Sequence, residues 1–538
     1  MRRDTQQLRS RHFDIAVVGG GIHGAWVTLR AAQAGLRVAL IEKDDFGAAT
    51  SSNSLNILHG GLRYLQHLDF ARMRTSIRAR REFCREFPHL ARPLQCFMPL
   101  QVAGVRSPWT LGPALLLNDM ISHDRNEGVA ASVRLPRGHL LGGVRSRERL
   151  EPLSDAAPFG GAVWWDAVTT DPGRMVLETV IAAAERGAVV ANHAEAVDYL
   201  VHDRTIEGVA VRDRITDDEF EVRASVVVNA SGPWAGELSN RGHRIAGFLP
   251  PGWVGGLNVV LRRSLGINTA VALSAASKQA DSTAVLHRAT RELFFVPWRG
   301  VTAVGTDYLT VSSPSEAKDV PAALVERFVE EIARVAPRAR VRLDDVAAVQ
   351  WGLLPQESAG TPLPRKAPIL VSGEAEAGFQ GLVVIIGEKL TSAPTLSLAV
   401  LERARRELGS KRDAAEQQAH SPSMQITVSE SRADALHQLG KVRPDLQMVI
   451  CAGHEAREVA VVHAVREEMA MNLDDIVLRR LGLGYVGHPG HAVLARCAEI
   501  AAPELGWTAA ERDRTVEQLD ARLGRWCQGG PTQRRVVA

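Results

Sequence analysis

Residues 14–43, DIAVVGGGIHGAWVTLRAAQAGLRVALIEK, pack an apolar run, a glycine turn, an amphipathic stretch and a second apolar run into thirty residues. That spacing predicts a strand, a tight turn, a helix and a parallel strand. Asp14 to Val18 is apolar and rich in β-branched residues, as a strand buried on both faces requires. Gly19, Gly21 and Gly24 give G-x-G-x-x-G at the turn. The first glycine permits the turn, the second lets the backbone approach a pyrophosphate, and the third lets helix and strand pack closely. The pyrophosphate would rest on the free N–H groups at the helix start, where the macrodipole favours an anion. The helix is expected from Gly24 to Ala34, stopping at Gly35, and the second strand, Arg37 to Ile41, delivers Glu42. An acid there accepts hydrogen bonds from both ribose hydroxyls and disfavours a 2′-phosphate.

The 538 residues allow two to four domains with ample core. A net charge of +3 gives no nucleic-acid footprint. Arg2, Arg3, Arg9 and Arg11 make the N-terminus basic without the apolar core of a signal peptide, and stretches such as 114–117 and 381–387 are too short to span a bilayer. A soluble or peripheral protein is expected. Cys84, Cys96, Cys451, Cys497 and Cys527 show no C-x-x-C spacing, which predicts reduced thiols in a cytosolic chain, with neither metal nor disulfide.

Further along, GAATSSNSLNILHGGLRYLQ is too long and too rich in hydroxyls for an ordinary connection. Asp69 to Phe87 has helical spacing, and its many arginines read as a solvated face. A helix is expected to begin near Asp171 and Pro172, with strands at Gly208 to Arg212, Glu221 to Val228 and Gly381 to Ile386. Trp253 to Thr306 is β-rich, and an antiparallel sheet is the natural partner for a parallel nucleotide-binding one. Residues 408–428 turn polar and read as a linker. Beyond it the period is helical, most clearly in AREVAVVHAVREEMAMNLDDIVLRRLGLG.

A glycine fingerprint alone does not separate NAD from FAD. Its place near residue 19, with other nucleotide contacts far along the chain, is how an extended FAD is gripped. The stretch VVGGGIHGAWVTLRAAQAGLRVALIEKDDFGAATSSNSLNILHGGLRYLQH closely resembles the N-terminus of FAD-dependent glycerol-3-phosphate dehydrogenases, above all in ATSS and HGGLRYL. VVNASGPWA, FVPW with VGTD, GEKLTS and REEMAMNLDDIVLRR resemble later segments of that family in the same order.

The resemblance implies an α/β fold, in which an FAD-binding Rossmann-like parallel sheet is interleaved with a mixed or antiparallel β substrate domain. Both lie within residues 1–410, the substrate part mainly at 90–160 and 240–365. A linker at 411–428 and a helical C-terminal cap domain at 429–538 follow. It implies oxidation of the secondary alcohol of glycerol 3-phosphate, or a related anionic polyol, with hydride passing to flavin N5 and electrons passing on to quinone or oxygen. It also implies a homodimer in the cytoplasm or peripheral on the inner face of the cell membrane. Trp109 to Ile121, flanked by Arg106 and Arg125, reads either as a surface element resting on that membrane or as a buried helix.

By the same resemblance, FAD is held by Gly19, Gly21, Gly24, Glu42, Thr50, Ser51, His59, Gly60, Gly61, Gly232, Gly387 and Lys389. Thr50 and Ser51 read equally as helix caps, and His59 equally as a structural or a catalytic histidine. Arg63, Tyr64, Arg365 and Lys389 would bind substrate, the cations supplying the fixed donors that phosphate needs. Departures from the family pattern run in one direction. Leu354 stands in place of an arginine, Asn258 in place of a histidine near the reacting carbon, Glu388 in place of a glycine and Asn56 in place of a lysine. With His59, Arg63 and Asn258 as the catalytic candidates, two other readings stay open: an amino-acid oxidase, and a flavoprotein that has lost turnover.

Overall fold

The apolar run at the start of the chain forms strand His12–Val18, buried from its second residue to its last. It lies between parallel neighbours Val38–Ile41 and Glu219–Asn229. The computed structural model describes residues 1–156, 158–239, 248–275, 291–315, 317, 319–409, 426 and 428–527. Among these, the first sheet has eight strands. Val189–Ala191 extends it in parallel beyond Val38–Ile41, Leu382–Ile386 in parallel beyond Glu219–Asn229, and Ile369–Ser372 closes that edge antiparallel. Glu219–Asn229 alternates exposed and buried residues until Ala224, then is buried almost continuously. Its first half pairs with an antiparallel neighbour, Thr205–Asp213, while its second half is enclosed in the parallel core.

The second sheet has nine described strands, antiparallel except where Ala270–Ser274 runs parallel to Ala91–Leu100. Besides strands within 90–160 and 240–365, it includes Ile57–Leu58, which pairs with Ala167 and Val168 of strand Gly160–Thr169. The loop carrying His59 is thereby anchored on the second sheet while its start packs on the first. The expected linker at 411–428 falls almost wholly outside the described residues.

The structure sharpens three of these readings. The helical run after Ala456 is not continuous: helix Val459–Glu468 stops at Met469, whose φ is +56°, and a π-helical turn, Asp475–Arg480, follows. Arg174, Arg432 and His463 converge on the buried Glu468 at that break, an arrangement no periodicity could reveal. In helix Phe70–Glu86 the arginines are not simply solvated. Arg80 is buried against Asp166, and Arg74 and Arg81 hold Asp124; a buried guanidinium persists only when paired. Helix Pro108–Ile121 is not buried either, since Leu115 is its one buried residue, and Trp109 (83% exposed), Leu116 and Met120 face outward.

Candidate active site

A cavity of about 830 Å³ is lined by the glycine turn, by Glu42 and the loop that follows it, and by strands of the second sheet. Gly19 has φ +104°, and a Cβ there would lie 2.7 Å from the Ala230 carbonyl oxygen. At Gly24 a Cβ would fall 1.9 Å from the Gly19 carbonyl oxygen. These two positions admit only glycine, for the turn and for helix packing respectively. Gly21 opens helix Ile22–Gln33, whose first N–H is donated to Ser51 Oγ at 2.9 Å. Ser51 therefore caps the helix from a neighbouring loop. Thr50 does otherwise, since its hydroxyl both donates to and accepts from the backbone of Leu353, tying that loop to the second sheet. Glu42 accepts the N–H groups of Gly20 at 2.6 Å and Asp44 at 2.8 Å; burial raises its pKa in spite of both bonds. Gly387 leaves room for the His23 imidazole, which a Cβ would approach to 2.0 Å. Gly232, with φ +58°, contributes backbone to the same wall.

Nearer the second sheet, Asp166 collects four groups, one of them the Trp164 Nε1–H, which is donated to Oδ2 at 3.3 Å. Its Oδ1 accepts the Gly60 N–H at 2.7 Å and is paired with Arg80, while its Oδ2 lies 3.5 Å from His59 Nδ1. Burial works to raise the Asp166 pKa, but the His59 hydrogen bond and the Arg80 charge outweigh it and hold the carboxyl at about 2. His59 is about half exposed to the cavity and meets Phe294 edge-on at 6.0 Å between centroids. Gly61 turns the chain into the short helix Leu62–His67. Lys389 Nζ donates to Tyr64 Oη at 2.8 Å and Ser76 Oγ at 2.9 Å, and the Arg72 guanidinium lies 4.6 Å from the centre of the Tyr64 ring.

Asn258 is buried on the cavity wall and its Oδ1 accepts the Thr306 hydroxyl at 2.7 Å. Arg365 lines the same cavity, its Nε donating to the Ala367 carbonyl at 3.1 Å, with Leu354 and Leu363 in the wall alongside. The side chain of Arg63 lies outside the described residues. Asn56 is buried in the wall, and neither of its side-chain polar atoms has a hydrogen-bond partner among the described residues. A buried amide with unmet hydrogen bonds, a helix N-terminus and an accepting carboxylate at the second strand end are the polar groups that a flavin dinucleotide completes. Sequence reading missed Asp166, Arg80, Ser76 and Arg72. For Asp166 a signal existed, because it is the lone acid in the otherwise apolar strand GGAVWWDAVT.

Fold and cavity together define a dinucleotide-binding protein whose site lies between its two sheets. The chain belongs to the FAD dependent oxidoreductase family, whose model matches residues 14–403, and it is an enzyme that uses FAD as its cofactor. Residues 431–512 match the C-terminal domain of alpha-glycerophosphate oxidase. The chain is 26% identical to a glycerol-3-phosphate dehydrogenase of Synechocystis sp., covering 98% of this chain and 99% of that one. It is 28% identical to glycerol-3-phosphate dehydrogenase 2 of Mycobacterium bovis, covering 96% and 89%. The solved glycerol-3-phosphate dehydrogenase of Bacillus halodurans, complexed with FAD, superposes with a TM-score of 0.68 over 96% of each chain at 20% identity, a likeness of fold.

Proposed function

We propose that this enzyme oxidises the secondary alcohol of glycerol 3-phosphate, or of a related anionic polyol, to a ketone. The observation that carries the reading is that two cations, Lys389 through its hydrogen bond and Arg72 through its guanidinium, meet Tyr64 in the cavity that His59 and Arg365 also line. Relatives named glycerol-3-phosphate dehydrogenase match nearly the whole chain, which supports the same substrate class. The adenosine end of FAD would be held by Gly19, Gly21, Gly24, Glu42 and Ser51, with Gly60, Gly61, Gly232 and Gly387 offering backbone to the rest. Bound FAD supplies the acceptor for the two electrons that leave with the C–H hydrogen.

The chain's own residues do the remaining work. Arg365 and Lys389 bind the anionic group and orient the alcohol. His59 takes the hydroxyl proton. The Asp166 carboxylate, 3.5 Å from Nδ1, orients the imidazole so that Nε2 is the atom offered to the hydroxyl. Asn258, held by Thr306, offers its amide as a hydrogen-bond donor in place of a titrating group. Leu354 supplies no cation to the lining, and Glu357 stands in it with Arg365 and Lys366, so glycerol 3-phosphate itself is expected to react slowly. An outward apolar face on helix Pro108–Ile121, beside the cavity-lining Leu111 and Ala114, supports peripheral contact with a membrane surface and a quinone acceptor. No helix among the described residues is long and apolar enough to cross a membrane.

The test is anaerobic flavin bleaching with glycerol 3-phosphate, longer phosphorylated polyols, unphosphorylated polyols and amino acids. Reduction by a phosphorylated polyol is expected. Bleaching by amino acids alone, or by nothing while FAD stays bound, overturns the proposal.

A further inference from the structure

The segment that follows Glu42 is held from behind by the C-terminal helices. Asp45 is buried, and its carboxylate receives a two-pronged Arg480 guanidinium, 2.9 Å between Oδ1 and one of its nitrogens, together with Arg479 Nε at 2.6 Å and Asn192 Nδ2 at 2.8 Å. Burial acts to raise the Asp45 pKa, but the two arginines outweigh it and hold the group ionised. Arg480 is itself fully buried and fixed by Nε donating to the Glu468 carbonyl at 2.8 Å. Arg479 also pairs with Asp475, which accepts from the His193 ring at 2.9 Å, and the His193 backbone N–H is donated to the Asp44 carbonyl at 2.7 Å. Guanidiniums thus occupy the cluster of Asp45, His193 and Asp475 that could otherwise hold a metal ion. Further along, the Tyr485 hydroxyl meets Ser52 and accepts the Gly173 N–H at 3.1 Å. The cavity-lining loop 42–53 is therefore gripped at both ends by residues 479–485.

We infer that the C-terminal helical module is a cofactor-retention element, in which Arg480, through Asp45, fixes the loop that presents Glu42 to the adenosine ribose of FAD. The inference rests on Glu42 being that ribose acceptor. The bidentate, fully desolvated pair is stiff because removing either partner strands a buried charge. Without it, residues 43–46 must be ordered at the expense of binding. By linkage, bound FAD in turn strengthens the seat of the module.

The experiment titrates FAD into the full-length apoprotein and reads flavin fluorescence. Arg480→Met is expected to weaken FAD binding by about tenfold or more, and Arg480→Lys by less, since it restores charge but not the fork. Arg496→Met breaks another pair of the C-terminal module, to Glu458, which shares no partner with Arg480, and should leave FAD affinity within about twofold while lowering thermal stability. Glu42→Gln should weaken binding, and Glu42→Gln with Arg480→Lys should be less than additive. If Arg480→Met fails to fold, the lysine variant and its cycle decide. Wild-type affinity in the Arg480 variants with weakened Glu42→Gln overturns the inference alone. Unchanged affinity in Glu42→Gln overturns the ribose reading beneath it. Equal weakening by Arg496→Met and Arg480→Met overturns the inference in favour of general destabilisation.

Discussion

Asp166 Oδ2 lies 3.5 Å from His59 Nδ1, while the other oxygen of the same carboxylate holds the Gly60 N–H. One buried acid thus sets both the imidazole and the glycine backbone beside it. His59→Gln should lower the rate of flavin reduction by about 100-fold or more, the usual worth of a positioned base. Asp166→Asn should lower that rate by less. It should also lower the melting temperature, because stranding buried Arg80 costs about 3–5 kcal/mol. Stopped-flow reduction and calorimetry on the same samples separate the two effects.

Arg365→Ala should raise KM for the anionic substrate with a smaller change in kcat, as loss of a charge-assisted hydrogen bond of about 1.5–3 kcal/mol predicts. Steady-state kinetics across the polyol panel would show the loss confined to phosphorylated compounds. An equal loss for unphosphorylated polyols would remove Arg365 from the anion site.

Leu354→Arg is the converse experiment. A guanidinium at this apolar stretch of wall should improve kcat/KM for glycerol 3-phosphate by about tenfold, roughly the value of one added cation in a partly desolvated site. No gain would mean that residue 354 does not face the bound phosphate.

Acid stability should depend on His23. Its burial lowers the pKa from 6.5 to about 4. The unfolded chain takes up the proton near pH 6.5 while the fold resists it until about pH 4. The stabilising contribution is therefore complete above pH 6.5 and is lost as pH falls towards 4. Urea unfolding at pH 7.5, 5.5 and 4.5 should show a shallower decline in His23→Asn than in the native chain.

Paired substitutions Trp109→Asp and Met120→Asp should abolish flotation with anionic liposomes at low salt while leaving FAD content unchanged. A native protein that stays wholly in the soluble fraction would refute membrane contact.

The opening nucleotide unit was legible because its constraints are local. A buried parallel strand must be apolar, the turn must be glycine, and the acid must end the second strand. Residues 14–42 obey each requirement in order. The β-rich second sheet was legible too, since its strands carry their own β-branched and alternating patterns. Asp166, Arg80 and the pair of Arg480 with Asp45 were not. Asp45 and Arg480 are 435 residues apart, and nothing in either neighbourhood marks a partner. The outward face of helix Pro108–Ile121 was likewise undetermined, because an apolar helix reads alike whether buried or exposed. Local sterics and hydrophobic period set the elements from sequence alone. Which buried charges meet, and which apolar face stays uncovered, was decided by tertiary packing, since a charge is tolerated inside only where the fold brings its counter-charge.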